Sequence, residues 1–286
     1  MITSVLITLY NHEKYIEFAL NSLLKSNTKN IQLVVNDDCS QDNSYEIAEN
    51  WINNHKNLFS SALIFKQSKN LGINNSINFL VSKAKGYFIT ILSSDDAFMP
   101  AAVDFQSQYL LDNPQFDFLF TNQTLMNEFN DICAHKHIGF RRKFLIKSNF
   151  FLILDMIFNW GHPWSKVFAR LDSYKKMGPL PISISFDDRW IGFKILQAGK
   201  YTFLNKASIL YRVRSDKSTT PGLNKKQILN DLNLVELEAL KYSKGILFSL
   251  LFLYTLPLKL KSQNRLLLSI YKLPKKIIKK LYLLII

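Results

Sequence analysis

Gly86-Tyr87-Phe88-Ile89-Thr90-Ile91-Leu92-Ser93-Ser94-Asp95-Asp96-Ala97-Phe98 is the stretch on which the fold turns. Its apolar, β-branched run from Phe88 to Leu92 reads as a buried strand. The run stops abruptly at two serines and two acids. In open α/β sheets, ligands bind just past the carboxyl ends of strands. Two carboxylates there are costly unless they meet a cation or a polar ligand. A plainer reading makes Asp95-Asp96 the cap of a helix starting near Pro100. The rest of the chain bears on the choice.

Upstream, three more strand–helix units precede this run. Ile2 to Leu9 is a β-rich strand that ends at Tyr10-Asn11, followed by a helix from about His12 to Lys25. Tyr15, Phe18, Ala19, Ser22 and Leu23 fall on one face of that helix. Ile31 to Val35 is a second strand, ending at Asn36-Asp37-Asp38. Cys39 to Ser44 carries turn and cap chemistry leading into a helix to about Asn54. Leu63 to Lys66 is a short third strand; Asn70-Leu71-Gly72 makes a turn, and a helix runs from about Ile73 to Lys83. The βαβαβαβ order with short connections predicts a mostly parallel sheet with helices on both faces. Polar residues gather at three strand ends: Tyr10-Asn11, Asp37-Asp38 and Ser94-Asp95-Asp96. In such a sheet these ends share one edge, which favours a common cleft over three separate caps.

Downstream, a helix to about Asp112 and a strand near Phe116 to Thr121 are expected. Residues 122–150 turn polar and then basic at Arg141-Arg142-Lys143, and read as a loop. Phe150 to Phe158 is apolar and helical in pattern, and 160–166 is aromatic and turn-rich. Asp187-Asp188 precede a helix from Arg189 to about Ala198; Tyr201–Leu204 and Ser208–Tyr211 read as strands.

At 286 residues, with 48% hydrophobic residues, the chain suffices for one large α/β domain with appendages. Only two cysteines, Cys39 and Cys133, argue against a disulfide framework and for a reducing compartment. No basic n-region opens the sequence, so no secretory signal is read. The net charge of +14 is uneven. From Lys241 to Ile286 there are ten Lys/Arg and no acid, leaving 14 − 10 = +4 for the rest.

The motifs in order resemble the family 2 glycosyltransferases, nucleotide-sugar-dependent enzymes of the GT-A fold. The likeness covers about residues 2–220. Ser4 to Glu13 is similar to the opening strand of that family, which usually ends Pro-Val-Tyr-Asn-x-Glu. Val35 to Asp42 resembles its Asp-Asp-Gly-Ser-x-Asp turn. Asn70-Leu71-Gly72, Asn78, Ala84 and Gly86 fit its Asn-x-Gly…Asn…Ala-x-Gly segment. Ser93-Ser94-Asp95-Asp96 stands at its Asp-x-Asp-Asp metal motif, Asp187-Asp188 at its Glu-Asp position, and Tyr211-Arg212 at a later Tyr-Arg.

The resemblance implies an α/β GT-A domain over 1–220, with a mostly parallel, Rossmann-like sheet. Its nucleotide-sugar half is about 1–98, its acceptor half about 99–220, and a basic helical tail occupies 221–286. It implies a donor site of Thr8, Tyr10, Glu13, Asp38, Asn70, Gly72, Asn78, Ser94, Asp95, Asp96 and Arg214. Tyr10 would offer a ring face to the base, unless it is a core aromatic. Asp38 would accept from the base or ribose. Asp95 would hold Mg2+ or Mn2+, which relieves charge on the leaving diphosphate. Asp188 would be the base of an inverting transfer, with the like charge of Asp187 raising one pKa of the two, unless Asp187-Asp188 merely cap the Arg189–Ala198 helix. His162, Trp164 and Lys166 would line the acceptor side, or the tryptophans would be core. Two departures bear on the metal. Ser93 replaces an acid, and Arg214 stands where a histidine is usual. Arginine suits direct neutralisation of a diphosphate.

Gly245 to Leu258 is uncharged but, at 14 residues, falls short of the roughly 20 a spanning helix requires. Lys272 to Ile285 is Lys-rich on one face and aliphatic on the other, the pattern of an interfacial membrane helix or of a helix packed on a partner. The expected protein is a cytoplasmic transferase at the inner face of the cell membrane. It would move sugar from a UDP-sugar to a lipid-linked or surface glycan in polysaccharide or lipopolysaccharide synthesis. A non-catalytic relative and a nucleotidyltransferase are the rivals. The latter calls for a Gly-rich loop after the first strand, and Thr8 to Lys14 has no glycine. Nucleic acid is not an expected partner, because the basic face lacks stacking aromatics.

Overall fold

The computed structural model describes residues 1–136, 167–183 and 187–214, together with helical positions 234, 235, 237 and 240. Its first half follows the expected alternation: β1 (Thr3–Leu9), α1 (Ile16–Leu23), β2 (Ile31–Asp37), α2 (Ser44–His55), β3 (Ser61–Lys66), α3 (Ile73–Lys83) and β4 (Phe88–Ser93). Then come β5 (Ala97–Phe98), α4 (Ala102–Asp112), β6 (Phe118–Met126), β7 (Ile132–Lys136), β8 (Phe168–Arg170), α5 (Leu171–Lys176), α6 (Asp187–Ala198) and β9 (Tyr201–Arg212). One nine-stranded sheet runs β3-β2-β1-β4-β8-β6-β9-β5, with β7 paired to β6.

β1 to β4 are all parallel, and their register sets the site. Thr8 lies level with Asn36 on one side and Ser93 on the other. The second half mixes directions. β8 is antiparallel to both β4 and β6, whereas β6 and β9 are parallel. Tyr201–Leu204 and Ser208–Tyr211 are parts of a single strand, continuous through irregular pairing opposite Thr121–Gln123.

Alternation along the strands divides the core between two faces, as a period of two requires. Val5, Ile7 and Leu9 pack with Leu33, Val35, Leu20 of α1, Trp51 of α2 and Val103 of α4. Leu6, Val34 and Ile91 point the other way, onto Ile77 of α3, Tyr174 of α5 and Ile191 of α6. Each such side chain, fully buried, stabilises the fold by about 1.5–3 kcal/mol. Val235 and Leu240 belong to this second cluster, so the packed core extends past residue 220.

Three-residue β8 is held by its ends. Phe168 meets Phe88 at 5.3 Å between ring centroids. The Arg170 guanidinium donates to the carbonyls of Phe116 and Leu110 and to the Tyr87 hydroxyl. Gly86 is required by close approach: a Cβ there would lie 2.6 Å from the Ser4 nitrogen and 2.8 Å from the Ile2 oxygen. Ser4 Oγ accepts from the backbone N–H of both Lys85 and Gly86, fixing the entry to β4.

Candidate active site

The loops after β1 and β2 are bolted together. Asn11 N–H donates to Ser40 Oγ at 2.9 Å, His12 N–H to Ser44 Oγ at 2.7 Å, and Glu13 N–H to Asp42 Oδ2 at 3.1 Å. In return, the Glu13 carboxylate accepts from Asn43 N–H and from the Asn43 side chain, and Asn11 Oδ1 accepts from Gln41 N–H. Glu13 therefore positions loops within the structure. These bonds also delay the helix: residues 12–15 form a turn, and α1 begins at Ile16, not His12. Asn11 and Cys39 both take positive φ, at 50° and 66°. Asn tolerates that region, whereas Cys is strained in it. Tyr10, between these loops and β1, is 41% exposed, so its ring is presented at the sheet edge and is not core. Thr8 is buried below it.

Asp38 faces the next loop. Its two oxygens accept from Leu71 N–H and Gly72 N–H, each at 2.8 Å, and it is 5% exposed. The carboxylate thus closes the amino end of α3, where Gly72 takes φ 86° and Asn70 Oδ1 also receives the Gly72 N–H. Asp37 caps its own turn instead, accepting from Ser40 N–H and Ser40 Oγ. Asn78 is spent on the far side of α3. It exchanges hydrogen bonds with both backbone groups of Leu180, at 2.8 and 2.9 Å. With Asn74, which donates to the Pro181 carbonyl at 2.7 Å, it holds residues 180–181 against α3.

The acids after β4 divide in the same way. Asp96 is buried and accepts from Arg212 N–H at 2.8 Å. Asp95 turns its carboxylate toward Arg214 (Nη1 at 3.8 Å) and His12 (Nε2 at 4.0 Å). Arg212 is the strut beneath them. Its guanidinium donates to the carbonyls of Asp95 and Asn127 and to Asn130 Oδ1, each at 2.7 Å, and lies 4.4 Å from the Tyr15 ring centroid. Buried Ser94 lies against the opposite side of the imidazole, its Oγ 2.8 Å from His12 Nδ1. Burial pushes the His12 imidazole below its ordinary value; the Asp95 charge pulls it up and Arg214 down.

Asp188 lies at the start of α6, in electrostatic reach of Tyr211. The Tyr211 hydroxyl is raised first by burial, then by the charges of Asp95 and Asp188, with Arg214 opposing. The Asp187 side chain, His162, Trp164, Lys166, the 141–143 run and the tail from 241 lie outside the described residues.

A model of the family described as glycosyl transferase family 2 matches residues 4–155. The chain belongs to this family. As a family 2 glycosyltransferase it is a transferase with a GT-A fold. It is 23% identical over 238 residues to an uncharacterised glycosyltransferase of Rickettsia prowazekii, covering 81% of this chain and 70% of that one. TarS of Staphylococcus aureus, a poly(ribitol-phosphate) β-N-acetylglucosaminyltransferase, is 37% identical over 95 residues, which are 32% of this chain and 16% of TarS. The crystal structure of TarS 1–349 with UDP-GlcNAc superposes with a TM-score of 0.66 at 18% identity, covering 90% and 72% of the two chains. The mannosyltransferase PcManGT of Pyrobaculum calidifontis, in complex with GDP-Man and Mn2+, superposes with a TM-score of 0.59 at 15% identity, covering 89% and 72%.

Family members of this fold often use a divalent cation. Among the described residues the donor set does not fit one. Among the described residues no three His, Cys, Asp or Glu side chains converge on a point. Asp96 is turned into β9, and the Asp95 carboxylate faces a guanidinium. The expectation of Mg2+ or Mn2+ on Asp95 therefore finds no supporting shell among these residues. Two residues of this family 2 site escaped the sequence reading. The sequence makes His12 only the start of a helix, and Arg212 a motif residue without a task. Their positions next to strand ends already identified were the available signal. Among the described residues no helix is long and apolar enough to cross a membrane.

Proposed function

We propose that the protein transfers a sugar, with inversion, from a UDP-sugar to a hydroxyl of a lipid-linked or surface glycan. One observation carries this reading: Tyr10, Asp38, Asp95 and Arg214 lie at or beside the carboxyl ends of one contiguous sheet, and the charges of Asp95 and Asp188 both act on the Tyr211 hydroxyl. Tyr10 would stack on the base. Asp38, with the Asn70–Gly72 turn it closes, would bound the nucleoside pocket. Thr8 and Ser94 would form its floor. Asp188 would take the proton of the acceptor hydroxyl as that oxygen attacks the anomeric carbon. The new C–O bond forms as the bond between that carbon and the diphosphate oxygen breaks, and the nucleoside diphosphate leaves with the bonding pair. Like-charge proximity to Asp187 in the chain would favour a base of raised pKa.

The UDP-GlcNAc complex of TarS supports a UDP-sugar donor, and its name, which gives poly(ribitol-phosphate), supports a polymer as acceptor. His162, Trp164 and Lys166 would bind that acceptor. The acid-free basic stretch from Lys241 onward would hold the enzyme at an anionic membrane, at about 1 kcal/mol per basic residue near the surface.

UDP release from a panel of UDP-sugars tests this. Asp188→Asn is expected to lower turnover about a hundredfold or more while UDP binding is retained. Wild type that binds UDP but turns over no sugar donor, even with an acceptor extract supplied, would favour a non-catalytic binding protein.

A further inference from the structure

We infer that the diphosphate of the donor is neutralised here by the Arg214 guanidinium, aimed by His12, and that donor binding needs no divalent cation. This rests on the UDP-sugar reading above.

The geometry of the imidazole is the starting point. Arg214 Nη1 lies 3.1 Å from His12 Nε2. A guanidinium has donors only, so the facing ring nitrogen must carry a lone pair. The ring proton then resides on Nδ1 and is donated to Ser94 Oγ at 2.8 Å. Ser94 is 1% exposed and is itself fixed by its N–H on the Thr8 carbonyl. His12 is thus held neutral, in one tautomer, with its acceptor pointed at Arg214. The lone pair a metal ion would use is already committed. The Asp95 carboxylate, in turn, has its Oδ2 atom 3.8 Å from Arg214 Nη1, an ion pair that already offsets its charge. A divalent ion on that carboxylate would be repelled by the adjacent guanidinium.

The two arginines at the end of β9 take different tasks. Arg212 is 3% exposed, and all three of its guanidinium nitrogens are spent on Asp95 O, Asn127 O and Asn130 Oδ1. Arg214, two residues on, has 21% of its side chain exposed beside Asp95. Its planar fork suits phosphate oxygens. His12 touches Arg214 and not the reacting atoms, so it is a positioning residue.

Calorimetry on the full chain with UDP and with uridine, in EDTA and in Mn2+, tests this. Wild type is expected to bind UDP in EDTA within about threefold of its affinity in Mn2+, and Arg214→Ala to weaken UDP about tenfold or more while uridine binding is unchanged. His12→Ala is expected to weaken UDP but not uridine, with partial recovery in His12→Gln, whose amide oxygen can accept from Arg214. Uridine serves as the internal check that each variant keeps its pocket. UDP bound by wild type only when Mn2+ is present would overturn the inference. So would Arg214→Ala with undiminished UDP affinity, or His12→Ala losing uridine and UDP alike. Wild type that binds neither uridine nor UDP would defeat the donor reading itself, and this inference with it.

Discussion

Asp38→Asn separates a structural carboxylate from one that serves only a ligand. In the folded protein each Asp38 oxygen accepts one backbone N–H at 2.8 Å, from Leu71 and Gly72, and the side chain is 5% exposed. Asparagine keeps one acceptor and turns an NH2 toward the other N–H, so one bond is lost and two donors oppose each other. A hydrogen bond to a charged group contributes about 1.5–3 kcal/mol, and the negative charge at the amino end of α3 adds about 0.3–1 kcal/mol. The loss should therefore be about 2–4 kcal/mol, or roughly 5 °C or more in Tm. Asp38→Ala leaves both N–H groups without this acceptor and should cost more. Urea denaturation of the three proteins measures it, with UDP affinity as a second readout. If Asp38→Asn melts with wild type yet fails to bind UDP, the carboxylate serves the ligand alone and the capping argument is wrong.

Gly86→Ala should cost about 2–3 kcal/mol or more, because its Cβ would meet backbone atoms of residues 2, 4 and 88 that cannot step aside; a melting curve equal to wild type would contradict the close approach. Cys39→Gly should stabilise by about 0.5–1 kcal/mol by relieving φ 66°, measured by the same denaturation. His12 is held below its ordinary 6.5, so between the lowered value and 6.5 the unfolded chain binds more protons. Its contribution to stability is then present above that window and lost as pH falls through it. Melting temperatures from about pH 8 down to about pH 5 should show the loss in wild type and a flatter profile in His12→Gln.

The parallel half of the fold was legible because each strand is a β-rich run ending in polar residues, and α1–α3 carry helical periodicity between turn residues. β8 was not, since three residues offer no period; it exists through Phe168 on Phe88 and the Arg170 anchors. Nor was the continuity of β9, where Asn205-Lys206 interrupts the apolar pattern and the pairing with β6 steps past both residues at a bulge before it resumes. At the candidate site, the sequence singles out Asp38, Asp95 and Arg214 but not the groups they meet in the structure. Asp38 and Asp96 are each held by backbone N–H groups supplied from remote segments, and a residue string does not display backbone donors. His12 acquires its task only when β1 and β4 bring Ser94 alongside it and the end of β9 brings Arg214.

A crystal structure of the full chain soaked with UDP in the presence of Mn2+ tests most directly whether this sheet edge is the donor site. The expected density places uracil on the Tyr10 ring and the diphosphate at about 3 Å from the Arg214 guanidinium. Arg214 should remain beside Asp95 and His12. UDP bound away from the ends of β1, β2 and β4, or a Mn2+ ion on Asp95 with Arg214 displaced, would contradict it.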